Sequence, residues 1–126
     1  MKFAGHAGVS EKDIGTFRRI TGIKLPQDYV DFLRRHNGGE GYIGDEYVML
    51  WKLEELEEFN RDYEVREYLP DVLLFGSDGG GETYGFRTSG RPAWDVIKVP
   101  FVGMSPEVCE KVAGSFSEFF TSLRKS

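Results

Sequence analysis

Between Val72 and Arg87 the sequence describes a β-hairpin that the rest of the chain must be built around. Val72-Leu73-Leu74-Phe75 is an uninterrupted apolar run bounded by turn formers, the pattern of a buried central strand. Gly76-Ser77-Asp78-Gly79-Gly80-Gly81-Glu82 follows, and three consecutive glycines hold no regular element cheaply, so this stretch is a turn. Thr83-Tyr84-Gly85-Phe86-Arg87 returns, with Tyr84 and Phe86 on one face. A second turn over Thr88-Ser89-Gly90-Arg91-Pro92 leads into a third strand from Val96 to Phe101. Pro100 cannot donate to a ladder, which predicts an edge at that strand's end.

Helical periods surround this unit. Ser10 caps a predicted helix whose first turn holds Asp13; Ile14, Phe17 and Ile20 give it one apolar stripe, and Gly22 stops it. Pro26 suits the first position of a second helix, with Tyr29, Phe32 and Leu33 on a shared inner face. Arg34, Arg35 and His36 complement its C-terminal dipole, and Gly38 ends it. Tyr47 to Trp51 reads as a short strand. Leu53, Leu56, Phe59, Asn60 and Tyr63 return to helical spacing, with Glu54, Glu55, Glu57 and Glu58 facing outward. Ser115 and Glu118 fit a capping box that opens a last helix with Phe116, Phe119, Phe120 and Leu123 on one face. Residues 104–113 carry no readable pattern, and residues 1–9 read as a loose N-terminal tail around the domain. The order predicts an α+β fold: a twisted, mainly antiparallel or mixed sheet with helices packed on it.

At 126 residues the chain fits one domain. Cys109 stands alone, so no internal disulfide forms. The absence of an apolar leader at Met1–His6, or of any run near 20 apolar residues, predicts a cytoplasmic protein without a membrane span. Charge is segregated. Residues 40–82 hold 13 acidic side chains against Lys52, Arg61 and Arg66, a net −10, while the remainder nets +5. Such a segment repels nucleic acid and attracts a basic protein partner. Asp45, Glu46, Glu54, Glu55, Glu57 and Glu58 are the expected partner-binding residues.

Catalytic patterns are absent from this reading. The glycine loop is flanked by Asp78 and Glu82 and lacks a following lysine, unlike a phosphate-binding loop. Asp78 and Glu82 as a hydrolase carboxylate pair is the minor alternative. Ser77 sits outside a nucleophile elbow, and His6, His36 and Cys109 have no metal-ligand spacing. No cofactor or metal is expected.

Leu25-Pro26-Gln27-Asp28-Tyr29-Val30-Asp31-Phe32-Leu33 with Asn37-Gly38-Gly39 resembles the opening motif of the SUKH superfamily, in its Smi/Knr branch. Leu74 to Glu82 resembles that family's glycine-rich segment, and Ile97-Lys98-Val99-Pro100 and Ser115 to Phe120 resemble its last strand and helix. The resemblance implies an α+β domain that acts by protein binding: an immunity protein neutralising a toxin domain, perhaps a basic nuclease in the light of the charge, or a regulatory scaffold for an endogenous protein. It supplies no catalytic residues.

Overall fold

The computed structural model describes residues 2–90 and 94–124. Seven strands form one open sheet in the order β1 (Lys2–Ala7), β2 (His36–Ile43), β3 (Glu46–Leu50), β4 (Val72–Ser77), β5 (Glu82–Arg87), β6 (Asp95–Pro100) and β7 (Glu110–Ala113). Every neighbouring pair is antiparallel. The expected α+β architecture is therefore present, in its antiparallel form. Helices α1 (Glu11–Thr21) and α2 (Gln27–Arg35) interrupt β1 and β2; α3 (Leu53–Asp62) and the short α4 (Val65–Tyr68) interrupt β3 and β4; α5 (Phe116–Arg124) closes the described chain.

Local chemistry accounts for most of these boundaries. Ser10 and Asp13 exchange hydrogen bonds across the start of α1, 3.2 and 3.1 Å, and Gly22 ends it in a left-handed conformation. Pro26 lies one residue ahead of α2 rather than inside it. The Glu118 N–H donates to Ser115 Oγ at 3.1 Å, so Ser115 caps α5. Asp28 reaches the same helix: its Oδ2 accepts the Ser117 N–H and hydroxyl at 2.9 and 3.0 Å, tying α2 to α5.

The core is aromatic. Tyr29 of α2 lies 4.9–5.7 Å from the rings of Phe75, Phe86 and Phe116, and Phe119 packs at 4.9 Å from Tyr84. All six residues of β4 are buried, as its apolar run predicts. Its hydrogen-bonding edge has an unusual partner. β3 pairs with β4 only at Met49–Ser77 and Leu50–Gly76, after which the Trp51 N–H bonds to Phe75 O. Beyond that point α3 takes over: Asn60 accepts the Leu74 N–H at 2.8 Å and donates to Leu74 O at 2.9 Å, acting as one rung of the missing strand.

Three expectations need correction. The N-terminal segment is not a loose tail: residues 2–7 pair with β2 as an edge strand, because the glycine backbone of β2 offers an open ladder. His36, Asn37 and Gly38 do not finish α2 but begin β2. Gly38 and Gly39 permit this, since a Cβ at either would lie 2.5 or 2.4 Å from the carbonyl of Leu50 or Ala4. Residues 104–113, which carry no readable pattern, contain a 3-10 turn at Pro106–Val108 and then β7, which covers the first half of β6 and leaves its Pro100 end open on that side, as the proline predicts. Pro100 is tolerated because β7 pairs only with Val96, Ile97 and Lys98. Finally, Ile20 does not join the stripe of α1; it is 63% exposed, whereas Phe17 is buried. Of the second turn, Arg91 and Pro92 lie outside the described residues.

Candidate functional site

The six expected partner-binding acids fall into two groups. Asp45 and Glu46 are exposed at the β2–β3 turn and the first position of β3. Glu54, Glu55, Glu57 and Glu58 stand past the other end of that strand, on the first turns of α3. Five strand residues, about 15 Å of extended chain, separate them.

The α3 group is itself not uniform. Asn37 ties down the helix start, its Oδ1 accepting the Leu53 N–H at 2.7 Å while its Nδ2 donates to Glu54 at 2.6 Å. That hydrogen bond, more than any neighbouring charge, holds the Glu54 carboxyl below the usual carboxylate range. Glu55 is half-buried and accepts the Lys52 N–H at 2.8 Å. Both acids therefore serve the helix terminus as well as its surface. Glu57 forms an exposed pair with Arg61 at 3.7 Å, and Glu58 is exposed with no ion pair among the described residues.

The glycine loop joins the other acidic group. Asp78 Oδ1 accepts the N–H groups of Gly80 and Glu82 at 2.7 and 3.1 Å, so this carboxylate organises the turn instead of pairing with Glu82. The buried Tyr84 phenol is pushed up to about 12, first by burial and then by the charges of Asp78, Glu46 and Glu82. Tertiary structure thus places Glu46 and the hairpin acids within electrostatic reach of one phenol, which sequence spacing does not reveal.

The remaining chemical candidates are scattered. His6 is exposed on β1, and His36 lies against Phe3 and Phe32. Cys109 is half-buried, its Sγ donating to Ser105 O at 3.6 Å, and burial raises its thiol above the ordinary value. No cluster of three metal-ligating side chains occurs among the described residues. No helix among them is long and apolar enough to cross a membrane. A groove of ≈ 720 Å³ beside α1, α3 and α4 carries both Lys24, Arg61 and Arg66 and Glu57, Glu64 and Glu67, so its rim has no net sign.

Sequence reasoning missed a set of exposed apolar residues. Tyr42, Tyr63 and Val102 are 51, 42 and 90% exposed. Tyr63 falls on the apolar spacing of α3 in the sequence, and exposure at these sites is decided by the packing of distant elements.

An open antiparallel sheet with helices packed on it defines the class of the protein, an α+β single domain. The chain belongs to the SMI1/KNR4 family (SUKH-1), whose sequence profile matches residues 8–122. No individual curated protein matches it. The family comprises immunity-type and regulatory domains, generally non-catalytic, that work through protein–protein interaction.

Proposed function

We propose that this protein is an immunity-type binding protein that neutralises a toxin domain, and that the partner class it fits is a basic nuclease domain. The carrying observation is the concentration of net −10 within residues 40–82 of a chain belonging to this family. A nuclease presents positive potential where it holds phosphate. An acidic protein is steered to that potential and covers it, which raises the association rate and blocks substrate together. The interface acids in this reading are Asp45, Glu46, Glu57 and Glu58, with Glu54 and Glu55 contributing field while holding the start of α3.

The test uses the protein domain encoded beside this chain, purified as an inactive variant, with association kinetics followed from low to high ionic strength. A one-to-one complex whose association slows steeply with salt is expected. Glu57→Lys with Glu58→Lys should slow association by about tenfold or more at low salt, with circular dichroism unchanged. An association rate insensitive to both salt and charge reversal would overturn the nuclease assignment. The regulatory reading of the family is favoured instead if the neighbour has no toxin activity and an endogenous protein binds.

A further inference from the structure

We infer that the partner-contacting surface is centred on Tyr63, Phe101 and Val102 beside the glycine loop, and that it accepts a protein segment with an aliphatic centre and a lysine- or arginine-rich rim. This deepens the protein-binding reading above by naming a surface for it.

The argument begins with an aromatic row. Trp51 lies 4.8 Å from Phe59, Phe59 lies 6.0 Å from Tyr63, and Tyr63 lies 5.1 Å from Phe101. Trp51 is buried, and exposure grows along the row until Tyr63 is 42% exposed. Next in the chain, Val102 is 90% exposed, although it sits in a turn where polar residues are the rule. That turn is not loose. The Phe101 N–H bonds to Gly81 O at 3.0 Å, Met104 is buried, and Gly103 takes the left-handed conformation. Val102 is therefore held outward from a fixed base, the situation of a preorganised apolar contact residue.

The glycine loop adds a second observation. Gly79 and Gly81 have φ of +77° and +113°, which explains glycine at those positions. Gly80 has no such φ, and a Cβ there would meet only the Asp78 carboxylate, at 3.6 Å. The fold does not require glycine at 80, and the missing side chain leaves the loop backbone open to close approach by another chain. On the far side of the loop, the Tyr47 ring lies 3.6 Å from where a Gly79 Cβ would stand, and Tyr42 packs edge-on against Tyr47 at 5.2 Å.

Charge selects the occupant. Glu58, on the second turn of α3, and Asp62, its last residue, are exposed next in the chain to Phe59 and Tyr63, and Asp78 and Glu82 flank the loop. Arg61 offsets part of this charge through Glu57 and Asp62. An apolar centre with an acidic border matches a segment of aliphatic side chains bordered by cations, and exposed tyrosine faces add cation–π contacts.

The experiment is an amide chemical-shift titration of the full chain with a 14-residue amphipathic peptide of leucine and lysine (about four helical turns), and with the same peptide carrying glutamate for lysine. The lysine peptide should perturb Tyr63, Gly80 and Val102 and their neighbours, and the glutamate peptide should not bind. Val102→Asp and Gly80→Arg, both at exposed positions, should each weaken binding by about tenfold while leaving the spectrum folded. Perturbations confined to the α1–α3 groove or to β1, or equal binding by the variants, would overturn the assignment. Because the peptide reads the surface directly, this outcome is independent of whether a neighbouring toxin exists. If a neighbouring toxin binds parent and Val102→Asp alike, the surface is wrong and the immunity reading stands.

Discussion

Tyr29 shows how a single side chain can be legible in position and unexpected in chemistry. Its place on the inner face of α2 follows from the spacing of Tyr29, Phe32 and Leu33, and all three are buried. Its hydroxyl, however, has no hydrogen-bond partner among the described residues, and burial drives the phenol well above its ordinary value. An unpaired buried hydroxyl is costly, so Tyr29→Phe should leave stability unchanged or raise it by up to about 2 kcal/mol in a urea melt. A loss beyond about 1.4 kcal/mol, one tenfold change in the folding constant, would show that the hydroxyl has a partner such as bound water. Phe32, packed 5.2–5.4 Å from Phe116 and Phe120, should behave oppositely, with Phe32→Ala costing about 3–5 kcal/mol. Glu54 gives the pH-dependent case. Its folded carboxyl is lowered by Asn37, so its contribution is present above the ordinary glutamate value and is lost as pH falls through the lowered folded value. Carbon-detected titration should find Glu54 below its ordinary value, and Asn37→Ala should move it back up.

Elements whose edges are set by local chemistry were readable, and those set by a neighbour's backbone were not. Ser10, Asp13 and Gly22 bound α1 through contacts within a few residues, and Ser115 does the same for α5. β2 contains Gly38, Gly39 and Gly41 and no run of strand formers; it is extended because β1 and β3 supply partners on both sides. Asn60 belongs with it. Its helical spacing is visible in the sequence, but its bonds to Leu74 exist only because β3 departs from β4. Asn60→Ala should expose the loss of two backbone partners at once and cost about 2–4 kcal/mol, measured by urea denaturation. A cost below 1 kcal/mol would mean that water replaces the side chain at the strand edge. The α3 acids divide in the same way. Glu55→Lys should destabilise by about 1 kcal/mol through the lost Lys52 contact and the helix dipole, whereas Glu58→Lys should be nearly neutral.

At the scale of the molecule, the meander of seven antiparallel strands brings chain segments far apart in number onto one surface. Glu46, Asp78 and Glu82 all act on the Tyr84 phenol, and Tyr63 meets Phe101, while the single acidic interface implied by residues 45–58 is divided by β3. What the amino-acid order determined by itself was the hairpin of β4 and β5, the inner faces of α2 and α5, the segregation of charge and the family motifs. Each of these depends on neighbours in sequence, where side-chain period, caps and turn chemistry act over a few residues. What only the tertiary structure decided was the pairing of β1, β2 and β7, the structural duty of Glu54 and Glu55, and the exposure of Tyr63 and Val102. Those depend on which backbones and faces meet across the sheet, and residues a dozen or more apart carry no local signal of that meeting.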